Sequence, residues 1–124
     1  MKITAIEKIK VIVPSKPDTV NSPEIRDPMH MLVLDGKPAW HVQFDRIWKY
    51  IYVVKTDEGI DGLGESYRGV NPQVVDGIIQ SLIGSDPMKM NLRNLPVPWS
   101  REYDGFEVAL FDLVGKKLGV PAFR

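Results

Sequence analysis

The sequence contains no cysteine among its 124 residues. Disulfide bonds, thiolate metal ligands and a cysteine nucleophile are therefore excluded, which fits a reducing compartment. The sequence also lacks an excess of charge of one sign, because 16 Lys and Arg residues balance 16 Asp and Glu residues. Such a chain has no strong field to attract nucleic acid or an anionic membrane, so we expect neither as a partner.

Long apolar runs are missing as well. The N-terminal stretch is interrupted by Lys2, Glu7, Lys8 and Lys10, unlike a signal peptide, and no segment is long enough to cross a membrane. We therefore expect a cytoplasmic protein. The apolar share of 44% is ordinary for a folded chain, and the length suits one domain.

Three strands are predicted in the regions where apolar residues alternate or cluster with β-branched ones. The first covers 3–13 and ends at a proline, and the other two form a hairpin over 49–66. Gly62 and Gly64 weaken the last strand. They indicate an edge strand, a bulge or the close approach of another backbone.

Three helices are predicted after the strands, over 72–83, 87–95 and 101–118. Asn71 is a candidate N-cap of the first helix, and Ser100 is a candidate N-cap of the third. Strands followed by helices indicate an α+β fold in which a three-stranded antiparallel β-meander precedes a helical bundle.

The segment 15–46 separates the first two strands and has no clear period. A compact domain rarely contains so long an irregular stretch unless it is a lid, a binding loop or a disordered segment. Trp40 and Phe44, with Trp48 just beyond the segment, make this region too apolar for a plain linker. We expect a loop that folds against another part of the protein, with a solvated surface insertion as the alternative.

The third predicted helix is apolar around most of its circumference. At 100° per residue, its polar gap is narrow and centres on Asp112 and Lys116. The apolar positions are Phe106, Val108, Ala109, Leu110, Phe111, Leu113, Val114 and Leu118. A helix of this kind is normally covered on two sides. The rest of the chain is long enough to cover only one of them.

Two motifs carry a resemblance to a known family. The hairpin reads T-D-E-G at 56–59 and G-L-G-E at 62–65, and the last helix reads A-L-F-D-L-V-G-K at 109–116, followed by G-V-P at 119–121. These motifs, at this separation, resemble the N-terminal capping domain of the enolase superfamily, in its mandelate racemase and muconate lactonizing branch. The family usually has Trp where this chain has Leu63 and where it has Phe111.

The resemblance implies that residues 1–124 are the capping domain of a longer enzyme whose barrel follows Arg124 in the same chain. The family abstracts a proton α to a carboxylate and uses Mg²⁺, and its acid/base residues and metal ligands stand on the barrel. The parent would then be an isomerase or a lyase: a racemase, a cycloisomerase or an acid-sugar dehydratase. We expect no catalytic residue and no bound cofactor in 1–124 itself, with Mg²⁺ in the full-length parent.

The expected partners are the C-terminal barrel domain, a small carboxylate or acid-sugar substrate, and further copies of the chain in a homo-oligomer. A second interpretation stays open beside the enzyme. The chain could be a stand-alone, non-enzymatic α+β module that binds a partner through its last helix.

The family's substrate-covering loops correspond here to 15–46 and 66–71. In the second loop the substrate-binding candidates are Ser66, Tyr67 and Arg68, since an arginine can hold a carboxylate through a planar fork of donors. An exposed surface arginine is the alternative for Arg68. In the first loop the candidates are His30, Trp40 and His41. We expect no metal site at the two histidines, because no acidic cluster surrounds them in the sequence.

Overall fold

The structure, a computed structural model, describes residues 1–14, 32–34, 37–40 and 46–122. The chain forms two compact units, Met1–Val11 with Lys49–Arg124, and Ile12–Trp48. The described elements are β1 (Ile3–Pro14), β2 (Leu32–Leu34), β3 (Lys37–Trp40), β4 (Arg46–Thr56), β5 (Asp61–Glu65), α1 (Pro72–Leu82), a 3-10 helix (Pro87–Lys89) and α2 (Asp104–Leu118). Neither α1 nor α2 combines the length and the apolar character that a bilayer-crossing helix needs.

The main sheet has three strands in the order β1-β4-β5. The start of β1 lies beside the end of β4, since the Asp57 N–H donates to the Lys2 carbonyl over 3.0 Å. β4 and β5 pair antiparallel, with Val53 opposite Leu63. The predicted three-stranded antiparallel sheet is confirmed.

The first helix begins as its sequence indicates. The Asn71 side chain accepts a hydrogen bond from the Gln73 N–H, and Pro72 occupies the first turn, where its missing N–H costs nothing. The buried residues recur at helical spacing and pack into the core: Val75, Ile78, Ile79 and Leu82. Gly84 follows with a φ of +84°, a left-handed conformation that favours glycine.

The segment 87–95 differs from the predicted helix. A 3-10 helix spans only Pro87–Lys89, and turns follow it. The Asn91 side chain accepts a hydrogen bond from the Arg93 N–H over 3.2 Å, which favours a local turn over continued helix. Pro96 and Pro98 then lack the N–H groups that a longer helix would need.

The last helix begins at Asp104, three residues later than predicted, and Ser100 is not its N-cap. The Ser100 carbonyl accepts from the Tyr103 N–H, and the Ser100 hydroxyl accepts from the Glu102 N–H, so residues 100–103 form a turn. We call this segment the turn 100–103. The helix ends at Gly119, whose φ of +67° is the usual left-handed stop.

The apolar residues of α2 divide into a covered and an uncovered set. Phe106, Leu110 and Leu113 are fully buried. Phe111 and Val114 are half-buried. In contrast, 54% of Val108 and 57% of Leu118 remain exposed. The described residues thus cover one side of this helix.

Glycines bring α2 into direct backbone contact with β5. A β-carbon on Gly62 would lie 2.8 Å from the Leu113 side chain, and one on Gly64 would lie 2.9 Å from the Ala109 backbone nitrogen. On the helix, a β-carbon on Gly105 would lie 2.6 Å from the Glu65 carbonyl oxygen. Real β-carbons do not approach other atoms this closely. The G-L-G-E motif and the start of α2 therefore form one close-packed surface, which agrees with the close approach predicted from the two strand glycines.

Side chains of α2 also satisfy the outer edge of β5. The Asp112 carboxylate accepts from the Leu63 N–H over 2.8 Å and from the Lys116 ammonium over 2.6 Å. Lys116 in turn donates to the Asp61 carbonyl over 2.8 Å. Edge strands otherwise present unpaired backbone groups to other chains. These two residues fix the helix to the strand and occupy part of that edge.

The second unit contains a short hairpin where the sequence indicated an irregular loop. β2 and β3 pair antiparallel, with Leu34 opposite Lys37 and a bulge near Leu32. Most of the segment 15–46 lies outside the described residues.

Candidate functional site

The loop 66–71 joins the end of β5 to the start of α1. Its first residue, Ser66, is 1% exposed. The Ser66 N–H donates to the Tyr50 carbonyl over 2.8 Å, and the Tyr50 N–H donates to the Ser66 hydroxyl over 2.9 Å. Ser66 therefore continues the strand pairing and fixes the base of the loop.

Two guanidinium groups lie beside one aromatic ring in this loop. The Tyr67 ring is half-exposed, with its centroid 4.5 Å from the Arg101 guanidinium carbon and 5.3 Å from that of Arg68. The attraction between a cation and the face of a ring stabilises such an arrangement, by about 0.5–1 kcal/mol at exposed sites. We call Tyr67, Arg68 and Arg101 the Tyr–Arg cluster. The cluster combines two cationic groups, each with planar donors, and one aromatic ring.

The far end of the loop is held by a buried carboxylate. The Asn71 N–H donates to the Glu102 carboxylate over 2.8 Å, and Glu102 is only 7% exposed. This hydrogen bond lowers the pKa of Glu102 below its ordinary value, against the opposing effect of burial. Glu102 is therefore an ionised acceptor at neutral pH.

The six predicted substrate-binding residues fall into different places. Tyr67 and Arg68 are brought together with a third residue in the Tyr–Arg cluster. Ser66 lies at the buried base of the loop, where a substrate has little access to its hydroxyl. His30 and His41 lie outside the described residues, and Trp40 belongs to β3, with a side chain that is not described.

Sequence reasoning missed Arg101 and Glu102. Both had been placed inside the last helix, whereas the structure puts them in the turn 100–103. Their partners in the loop stand 33 and 31 residues away in the sequence. The only local signal was an Arg-Glu pair directly before a helix, a pattern that many solvated helix starts share.

Three other carboxylates of the described residues have structural partners. Asp112 bonds the edge of β5, as expected for a mid-helix residue with a structural hydrogen bond. Glu58 pairs with Lys117, and Asp57 accepts from the Lys2 N–H over 2.7 Å. Across 1–14, 32–34, 37–40 and 46–122, no three acidic or histidine side chains lie close enough together to hold a metal ion. These residues do not fit a magnesium site.

A groove lies between α1 and the segment before the turn 100–103. Its volume is about 340 Å³. The lining residues are Val74, Gly77, Ile78, Ser81, Val97, Pro98 and Ser100. None of these side chains titrates near neutral pH, so the groove offers shape and apolar surface without acid or base chemistry.

Comparison with models of known protein families gave no match, and no characterised protein matched by sequence. Solved structures, in contrast, match over nearly the whole chain. A dipeptide epimerase from Enterococcus faecalis, solved with Mg and the dipeptide L-Leu-L-Tyr, is 16% identical with a TM-score of 0.66. The match covers 99% of this chain and 34% of that one.

Two further structures match in the same way. An enolase from Pseudomonas fluorescens, with bound magnesium, potassium and tartrate, is 24% identical over 98% of this chain, with a TM-score of 0.62. Muconate lactonizing enzyme from Pseudomonas putida is 20% identical over 98%, with a TM-score of 0.60. This chain spans only 30% and 31% of their lengths. The chain therefore has the α+β fold that these three enzymes contain within about a third of their length.

Proposed function

We propose that this chain is the capping and substrate-specificity domain of a Mg²⁺-dependent enolase-superfamily enzyme that abstracts a proton α to a carboxylate. The match to about a third of the length of three solved enzymes, two of them with bound magnesium, supports the domain assignment. The observation that carries the specificity role is the Tyr–Arg cluster. The loop that follows the G-L-G-E strand carries the Tyr67 ring and the Arg68 guanidinium, and the Arg101 guanidinium of the turn 100–103 lies beside the same ring.

The proposed partner of the domain is a C-terminal barrel in the same parent chain. Val108 and Leu118 on α2 are apolar and more than half exposed, and a barrel that packs there would remove them from water. The barrel would supply the acid/base residues and hold the Mg²⁺, whose chemistry is to stabilise the negative charge that develops on the substrate. No described residue of this chain takes part in that chemistry.

In this proposal the domain binds and encloses the substrate. Arg68 holds a carboxylate or a sugar hydroxyl through its planar donors, and Tyr67 supplies a flat apolar wall beside it. Closure of such loops excludes water and selects among substrates while the rest of the enzyme performs the chemistry. His30, Trp40 and His41 remain candidates for contacts from the other loop.

The proposed substrate is a small carboxylate or an acid sugar. The reaction is a racemisation, a cycloisomerisation or a dehydration. The proposed parent is a cytoplasmic homo-oligomer. A panel of α-hydroxy acids, acid sugars, dipeptides and muconate-type lactones, assayed with Mg²⁺ and the full-length parent, would identify the substrate.

The decisive experiment replaces Arg68 by alanine in the full-length parent. A charged hydrogen bond contributes about 1.5–3 kcal/mol, so kcat/KM should fall by about 10- to 150-fold on the substrate found in the panel. Arg93→Ala is the matched control, because it removes an exposed arginine from the segment between the helices. Equal kcat/KM values in wild type and Arg68→Ala would show that Arg68 is an ordinary surface residue.

A stand-alone interaction module is the second candidate, favoured by the same exposed residues of α2. The two candidates differ in the coding sequence beyond Arg124. Continuation into alternating strands and helices, with acidic residues at strand ends, supports the enzyme. A stop codon directly after Arg124 supports the module.

A further inference from the structure

Two neighbouring residues of the turn 100–103 reach the loop 66–71 at different points. The Arg101 guanidinium donates to the Arg68 carbonyl over 2.9 Å. The Glu102 carboxylate accepts from the Asn71 N–H over 2.8 Å. One residue supplies a cation to a backbone acceptor, and the next supplies an anion to a backbone donor. Hydrogen bonds with one charged partner are about twice as strong as neutral ones.

The two contacts bracket the least regular part of the loop. Gly69 lies between them with a φ of +62°, a conformation that glycine adopts without strain. Val70 is 2% exposed and anchors the same stretch in the core. The chain passes here from a strand to a helix. At this point Arg101 donates to the Arg68 carbonyl, and Glu102 accepts from the Asn71 N–H.

The turn 100–103 is itself held in place. Tyr103 is 2% exposed, and its hydroxyl accepts from the Leu95 N–H over 2.6 Å. Directly after it, α2 packs its backbone against β5 through Gly64 and Gly105. The loop and the turn therefore rest on the same rigid strand–helix contact, β5 leading into the loop and the turn leading into α2.

We infer that Arg101 and Glu102 are positioning residues, which set the conformation of the loop 66–71 and with it the direction of the Tyr67 and Arg68 side chains. The part of this inference that concerns substrate rests on the proposed function. Arg101 acts both through the Arg68 carbonyl and through its own contact with the Tyr67 ring. Glu102 acts through the N-terminus of α1.

Hydrogen exchange in the full-length parent tests the positioning without any substrate. In Arg101→Ala and Glu102→Ala the amides of residues 67–71 should exchange about 10-fold faster or more. Exchange in β4 and in the middle of α1 should stay as in wild type. Glu102→Gln keeps an acceptor for the Asn71 N–H and should show a smaller change than Glu102→Ala. Arg93→Ala, which lies outside both segments, is the matched control.

Kinetics with the substrate identified for the parent add a second readout. Arg101→Ala should raise KM with little change in kcat, because a misplaced loop weakens binding more than it weakens the chemistry. Arg101→Lys should have a KM between those of wild type and Arg101→Ala, since lysine can reach the Arg68 carbonyl but cannot reproduce the planar stacking on the Tyr67 ring.

The exchange and kinetic results distinguish the positioning role of Arg101 and Glu102 from the proposed substrate-binding role of the loop. Unchanged exchange of 67–71 in both alanine variants would overturn the inference. An equal rise of exchange throughout α1 and the sheet would also overturn it, because the two residues would then serve general stability. If the loop exchanges faster but KM stays constant, and Arg68→Ala is also silent, the positioning stands and the proposed substrate role of the loop is wrong.

Discussion

A single methyl group added at Gly64 tests the backbone contact between β5 and α2. In Gly64→Ala the new β-carbon would lie closer than 3.0 Å to the Gly105 carbonyl oxygen and 2.9 Å from the Ala109 nitrogen. Ordinary contact needs 3.4–4 Å, so strand and helix would have to separate by roughly 1 Å or more to relieve the contact with the Gly105 carbonyl. A gap of about 0.5–1 Å already forfeits a quarter to a half of the attraction between the facing atoms.

The change in the free energy of unfolding caused by Gly64→Ala has two opposing contributions. Overpacking costs about 1–3 kcal/mol, and the cost at Gly64 should be near the upper end because its neighbours include backbone atoms that cannot rotate away. Alanine also restricts the unfolded chain, which stabilises the fold by about 0.4–1 kcal/mol. We expect Gly64→Ala to lower the free energy of unfolding by about 2 kcal/mol.

Gly77→Ala is the matched control. Gly77 lies inside α1, and a β-carbon there would meet nothing within 4 Å. Alanine is the better helix former by about 1 kcal/mol, so this variant should be more stable than wild type. Thermal denaturation followed by far-UV circular dichroism should shift Tm down in one variant and up in the other. An increase of Tm in Gly64→Ala would refute the tight contact.

Three further predictions concern other features. Partial burial raises the pKa of Asp112, but hydrogen bonds from Lys116 and from the Leu63 N–H outweigh it and lower that pKa. The stability gap between wild type and Asp112→Asn should thus be about 0.5–1.5 kcal/mol at pH 7 and should close as the pH falls below about 4, as measured by urea denaturation at each pH. Chain 1–124 in isolation should self-associate through the exposed side of α2, and Leu118→Lys should reduce that association in sedimentation. Chain 1–124 with Mg²⁺ should turn over none of the acids in the substrate panel; turnover that a point mutation in this chain abolishes would contradict the capping assignment.

Local sequence patterns were sufficient for much of the main unit. Three predicted features depend only on neighbours within a few residues, and the structure contains each of them: the alternating strands, the T-D-E-G turn and the start of α1 at Asn71-Pro72. The two strand glycines indicated a close backbone approach, and their partners proved to be in α2. Competing local hydrogen bonds explain the differences at 87–95 and 101–103, where Asn91 and Ser100 favour turns over helix.

Only part of the candidate site could be predicted from the sequence. Arg68 and Tyr67 follow the G-L-G-E strand directly, so their place in a loop could be predicted. Arg101 and Glu102 join them only after the chain has folded back over more than thirty residues. No periodicity or capping rule connects positions so far apart.

The glycine contact between β5 and α2 has a consequence for protein engineering. The strand and the helix meet through main-chain atoms, so their spacing is independent of the side chains that the loop 66–71 carries. Tyr67 and Arg68 can then be randomised while Ser66, Asn71, the three contact glycines and the positive-φ Gly69 are kept. Libraries built in this way should yield mostly folded variants with altered substrate preference, whereas libraries that include Gly62 or Gly64 should yield mostly insoluble ones.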